Sequence, residues 1–150
     1  MSPFVFRLDR FLKLRKHAEQ ERAEALGAAV HAEEKSKADA EAKAERLDAV
    51  ADCITTEMNT VATAGALRNL GLVLGAAIAE ADSAKGEHED RKRATEQERE
   101  RWGKARVERR IIERLRTRRL NAWASGAARA EQKEMDETAS RIRTATGWGT

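Results

Sequence analysis

The side chains that could bind a metal or attack a substrate are few and scattered. There are three histidines, His17, His31 and His88, and one cysteine, Cys53. None of the histidines has a Cys, His or carboxylate partner at metal-ligand spacing. The many carboxylates fall on helix faces beside Lys and Arg, as solvated i,i+4 pairs do. A lone cysteine cannot close an intrachain disulfide, and Cys53 beside Ile54 reads as a small packing residue. No G-x-x-x-x-G-K-[ST] phosphate loop and no G-x-G-x-x-G dinucleotide fingerprint is present. No Ser-His-Asp or Cys-His set can be drawn without arbitrary choice. These residues predict a protein that is not an enzyme, with no cofactor, no metal and no small-molecule substrate.

What remains is binding chemistry. Residues 101–119 hold nine Lys/Arg and two Glu, a local +7. Residues 1–60 hold ten Lys/Arg and twelve Asp/Glu, a local −2. So strong a basic stretch suits an acidic protein surface, a solvated face or the phosphates of a nucleic acid. Against nucleic acid, the stretch has no Asn or Gln to read adenine and precedes no zipper. The opening run from Phe4 to Arg15 mixes aromatic, aliphatic and basic residues. It can lie on a membrane as a basic amphipathic helix, or dock its aromatics on other apolar residues.

The elements that position these groups follow from the hydrophobic rhythm. Ala40, Ala44, Leu47, Ala51, Ile54, Met58 and Val61 alternate steps of three and four. So do Leu67, Leu70, Leu74, Ala77, Ala81, Ala84 and His88. This is the heptad rhythm of a coiled-coil seam. If the chain folds back at Ala64 the two series meet: Val61 faces Leu67, Met58 faces Leu70, Ile54 faces Leu74 and Ala51 faces Ala77. Further out, Leu26 falls opposite Trp102, Leu8 opposite Leu120 and Val5 opposite Trp123. Between Arg15 and Arg22 apolar residues run out, so the pairing is expected to be loosest there. The composition agrees: charged residues make up 37% and aromatics only 4%, too few large apolar side chains for a compact core.

The expected fold is therefore all-α, two long helices in an antiparallel coiled-coil hairpin with the turn near Ala62–Leu67. It forms a single domain, 1–150. The first helix runs from about 7 to 61, the turn covers about 62–66, and Gly65 supplies the left-handed residue. The second helix runs from about 66 to 143 and the tail 144–150 is frayed. From Ala127 onward the second helix has no opposing residue, and Ala128, Met135, Ala139 and Ile142 call for a partner. No signal peptide is visible, because charges interrupt the first apolar cluster. The longest apolar-rich run, Leu70–Ala81, reads as too short to span a bilayer. A cytoplasmic location is expected.

Specific segments then resemble a known family. Phe4, Phe6, Leu8, Leu12, Leu14, Arg15 and Glu19 give an opening similar to that of the flagellar export protein FliJ. Arg119-Leu120-Asn121-Ala122-Trp123 resembles that family's R-L-x-x-W. Glu131-Gln132-Lys133-Glu134-Met135-Asp136-Glu137 is similar to its E-Q-K-x-[LM]-D-E segment. The resemblance implies a soluble stalk and adaptor of the flagellar type III export apparatus, similar to the central stalk of rotary ATPases. It implies three partners: the hexameric export ATPase, the membrane export gate protein and export chaperones. Through them the protein would associate peripherally with the membrane-embedded apparatus. A ring pore would take the end where both termini meet, with Phe4, Phe6, Leu8, Phe11, Arg116, Arg118, Arg119, Leu120 and Trp123 as the ATPase contact. Leu47, Leu70 and Leu74 are the candidates for the gate contact, although the family's aromatics are missing on that strip. The alternatives are a stalk protein of a virulence type III secretion system, and a basic coiled-coil protein that binds nucleic acid.

Overall fold

A computed structural model of the chain describes residues 3–60, 63–145 and 147. Among them two α-helices and no strand occur: α1 is Asp9–Met58 and α2 is Ala64–Ala145. The two helices pack against each other, as the heptads predict. Helix α1 opens after Pro3, with the Asp9 amide donating to the Phe6 carbonyl at 3.0 Å and the Leu12 amide to the Leu8 carbonyl at 2.8 Å. Asp9 in the first turn complements the positive end of the helix dipole.

The turn lies earlier than expected. Thr55 and Thr56 donate their hydroxyls back to the Ala51 and Asp52 carbonyls at 2.8 and 3.0 Å. The Asn59 amide group and the Thr60 hydroxyl donate to the carbonyls of Thr55 and Glu57. Of these, the Asn59 and Thr60 side chains satisfy carbonyls of the last turn of α1, at Thr55 and Glu57. Thr63 then caps α2, its hydroxyl oxygen accepting from the Ala66 amide at 3.4 Å. Gly65 therefore sits inside α2 and has no positive φ; among the described residues only Gly147 does. Of the expected turn, Ala62 lies outside the described residues and the rest is helical or the Thr63 cap, so hydroxyl capping rather than glycine sets the reversal. Val61 and most of the tail, Thr146 and 148–150, also lie outside the described residues, while Thr144 and Ala145 are helical. Thr63→Ala should cost about 1 kcal/mol in urea unfolding and fray the start of α2 by hydrogen exchange.

The chain divides into two compact units. Unit 1 joins 1–19 with 105–150, and unit 2 is 20–104. In unit 2 the buried or half-buried positions of α1 are Leu26, Ala29, Glu33, Ser36, Ala40, Lys43, Leu47, Val50 and Ile54, together with flanking neighbours such as Val30 and Ala51. Those of α2 include Ala66, Leu70, Leu74, Ala77, Ala81, Ala84, His88, Thr95 and Glu98. Five expected seam residues from Leu70 to Ala84, and His88, are thus inward. Ala44, Met58 and Leu67 are exposed, and Lys43 beside Ala44 and Ala66 beside Leu67 face inward instead.

The register is correspondingly shifted. Thr95, 1% exposed, shares its hydroxyl proton between the Ala29 carbonyl across the seam at 3.2 Å and the Arg91 carbonyl of its own helix at 3.1 Å. Ser36 donates to the Glu33 carbonyl at 2.8 Å, and its oxygen lies 3.4 Å from His88 Nδ1. Both cross-seam pairs are symmetric about position 62, whereas the expected register was symmetric about Ala64. Fold-back at 62 aligns Ile54 with Leu70, Val50 with Leu74, Leu47 with Ala77 and Ala40 with Ala84. Leu26 then aligns with Glu98 and not with Trp102. The small residues Ala29, Ser36, Ala84 and Thr95 allow the close approach that these hydrogen bonds need. Arg46 and Glu80 add a cross-seam ion pair at 3.3 Å.

Helix α2 also contains an 18-residue window of mean hydropathy 1.2 with no more than two charges, long and apolar enough to cross a membrane by length and composition. This corrects the reading of Leu70–Ala81 as too short, because the helix starts earlier and tolerates Arg68 and Glu80. One stripe of the stretch, Leu70, Leu74, Ala77 and Ala81, is buried or half-buried against α1, while Leu72, Val73 and Ile78 on its other faces are exposed.

Candidate partner-binding surface

Unit 1 gathers the aromatic and arginine-rich residues. Leu12, 3% exposed, and Phe6 are its buried apolar residues. The Phe4 ring packs on Trp123 with centroids 6.0 Å apart and planes tilted by 53°. Phe4 therefore takes the place expected for Val5, which is exposed. Leu8, Phe11, Leu120 and Trp123 each keep more than a third of their surface open, a large apolar exposure that suits a contact surface. The Arg15 guanidinium lies 4.9 Å from the Phe11 ring centroid, a cation–π contact.

The stretch where apolar residues run out is bridged by charge. Arg15 pairs with Glu108, Lys16 reaches Glu113 at 3.7 Å, and Glu19 accepts from Arg109. Arg109 also pairs with Glu113 on its own helix. The hydrogen bond from Arg109 to Glu19 raises the guanidinium above its ordinary pKa. Arg109 and Glu19 side chains are only 20% and 17% exposed, so the pair is worth more than a surface pair. Arg109→Ala would strand Glu19 half-buried and should cost about 2 kcal/mol in denaturant unfolding. Arg99→Ala, which breaks an exposed pair with Glu96, should change stability by about 0.5 kcal/mol or less.

This network consumes both acids of the basic stretch, Glu108 and Glu113. Arg116, Arg118 and Arg119 are exposed, and among the described residues no ion pair holds them. Unit 1 has 16 Lys/Arg against 8 Asp/Glu, a net +8, while unit 2 has 13 against 18, a net −5. The modest net charge of +3 thus conceals strong polarity between the units.

The sequence from residue 4 to residue 145 matches the family described as flagellar FliJ protein. The chain belongs to the flagellar FliJ family. No curated protein and no solved structure matches the chain. Membership in the FliJ family makes it a flagellar export-associated protein and agrees with the resemblance carried by the opening, the R-L-x-x-W segment and the E-Q-K-E-M-D-E segment.

Within that family frame, Leu47, Leu70 and Leu74 are half-buried seam residues of unit 2. Leu67, Leu72 and Val73 beside them are the exposed apolar residues of that strip. In unit 1, Val107 and Ile111 are more than half exposed, and the motif search missed them. Their signal was available: both fall out of phase with the seam positions Ala105, Arg109 and Ile112. Beyond Ala127, α2 is exposed through Thr144, Ala128, Met135, Ala139 and Ile142 included. A shallow groove there is lined by Glu131, Glu134, Met135, Thr138, Ala139 and Ile142. The Gln132–Asp136 hydrogen bond and the Lys133–Glu137 ion pair give this segment local support.

Proposed function

We propose that this FliJ-family chain is a non-catalytic stalk and adaptor of the flagellar type III export apparatus, and that unit 1 binds the hexameric export ATPase. The supporting observation is the combination of Phe4 on Trp123 with three exposed, unpaired arginines, Arg116, Arg118 and Arg119, in a unit of net +8. Aromatic anchors and arginines carry most of the energy of protein interfaces, and surplus positive charge speeds encounter with an acidic surface. The apolar exposure of Leu8, Phe11 and Leu120 extends the same surface. The membrane export gate protein and the export chaperones are the further partners. Leu47, Leu70 and Leu74 mark the gate strip, which the exposed Leu67, Leu72 and Val73 extend. These partners place the protein on the cytoplasmic side, peripheral to the apparatus. The family match favours flagellar over virulence export.

The triple reversal Arg116→Glu, Arg118→Glu, Arg119→Glu should reduce co-purification with the export ATPase by at least tenfold without loss of helicity by circular dichroism. Unchanged co-purification would remove the basic stretch from the contact. Salt-sensitive retention of the unmodified protein on duplex DNA, with no ATPase binding, would favour the nucleic-acid alternative instead.

A further inference from the structure

Helix α2 of unit 1 carries a second face that shares only Arg118 with the proposed ATPase contact. Val107 and Ile111 are 57% and 58% exposed, and Arg110, Arg114 and Arg118 are exposed with no ion pair among the described residues. The spacing from 107 through 111, 114 and 118 is four, three and four, so these residues form one stripe. The seam positions Ala105, Arg109 and Ile112 fall on the other side of the helix. Arginines at i, i+4 and i+8 repel one another, a local cost. The nearest acids, Glu108 and Glu113, are committed to Arg15, Lys16 and Arg109. Arg110, Arg114 and Arg118, with Glu113 and Thr117, line a shallow open groove.

We infer that this stripe docks on an anionic lipid surface. Residues 107–118 span only about 18 Å of helix. A strip about 10 Å wide and that long covers about 200 Å², far below the roughly 800 Å² per partner of a stable protein interface. A membrane needs no such area, because charges near an anionic bilayer act independently and a few apolar side chains enter the headgroup region. The arginine stems lie along apolar surface while their guanidinium groups reach lipid phosphates. Val107 and Ile111 distinguish this stripe from a purely phosphate-binding one, which would have no use for two exposed aliphatic side chains.

The test is flotation of the full chain with phosphatidylglycerol-containing vesicles and with phosphatidylcholine vesicles. Binding only to the anionic vesicles is expected. Arg110→Gln with Arg114→Gln should lower the partition about thirtyfold, and Val107→Ser with Ile111→Ser by about tenfold at unchanged charge. These four residues lie outside the proposed ATPase contact, so ATPase co-purification should persist in both variants. Equal binding to both vesicle types would overturn the inference, as would an unchanged partition in either variant. Loss of ATPase binding without any vesicle binding would assign the stripe to an acidic protein and also overturn it.

Discussion

Leu12→Ala is expected to lower the unfolding free energy of unit 1 by about 2–5 kcal/mol, the usual range for a buried leucine. Leu12 is 3% exposed, and unit 1 has few other large buried apolar side chains. Truncation would leave a cavity that a thin two-helix seam cannot refill from a second layer. Leu14 is exposed two residues later, and Leu14→Ala should cost about 0.5 kcal/mol or less. Hydrogen exchange of the unit 1 amides compares the two variants directly. Equal effects would mean that Leu12 does not lie in the seam.

The second large effect concerns register. Ala84→Leu adds three carbon atoms at a position 3% exposed and aligned with Ala40. Overpacking of this kind should cost about 1–3 kcal/mol, read as a lower urea midpoint. Ala79→Leu, on an exposed position of the same helix, should be close to neutral. The register itself can be trapped. In a Cys53→Ser background, Ser36→Cys with His88→Cys should cross-link on oxidation, because Ser36 lies against His88. Ala40→Cys with His88→Cys, the pair demanded by symmetry about Ala64, should remain open. The opposite result would restore that register.

Much of this fold was legible in the heptads. The second series lies inward from Leu70 to His88, although its first member, Leu67, and the apolar Leu72, Val73 and Ile78 between its positions are exposed. The first series was read one step off at Ala44, and its later member Met58 is exposed together with both neighbours. Alanine is too abundant in α1 to distinguish Ala44 from its neighbour, and Lys43 turned inward with its amine hydrogen-bonded to Asp39 at 2.8 Å. A lysine can occupy such a position by laying its stem along the seam. The reversal was misplaced for a different reason. Gly65 is a stronger textual signal than Asn59, Thr60 and Thr63, yet those three carry the side-chain hydrogen bonds at the end of one helix and the start of the next. A shift of the fold-back from 64 to 62 within unit 2 then moved the pairings there, including Leu26 with Trp102, while Arg109 with Glu19 in unit 1 keeps the symmetry about 64.

The surface was legible in part. The proximity of the N-terminal aromatics and Trp123 followed from symmetry, although Phe4 and not Val5 meets the indole ring. The ion-pair network of Arg15, Lys16 and Glu19 with Glu108, Arg109 and Glu113 was hidden, because charged residues were read as gaps in an apolar pattern. Once those acids are accounted for, the freedom of Arg116, Arg118 and Arg119 becomes visible, and it is this freedom that supports the ATPase contact.

The most direct test of the proposed stalk function is the hydrolysis rate of the purified flagellar export ATPase with and without an equimolar amount of this protein. Stimulation of several-fold is predicted, together with a larger hexameric fraction, and both should be lost on charge reversal at Arg116, Arg118 and Arg119. An unchanged rate and an unchanged assembly state at concentrations where the ATPase is fully active would contradict the proposal.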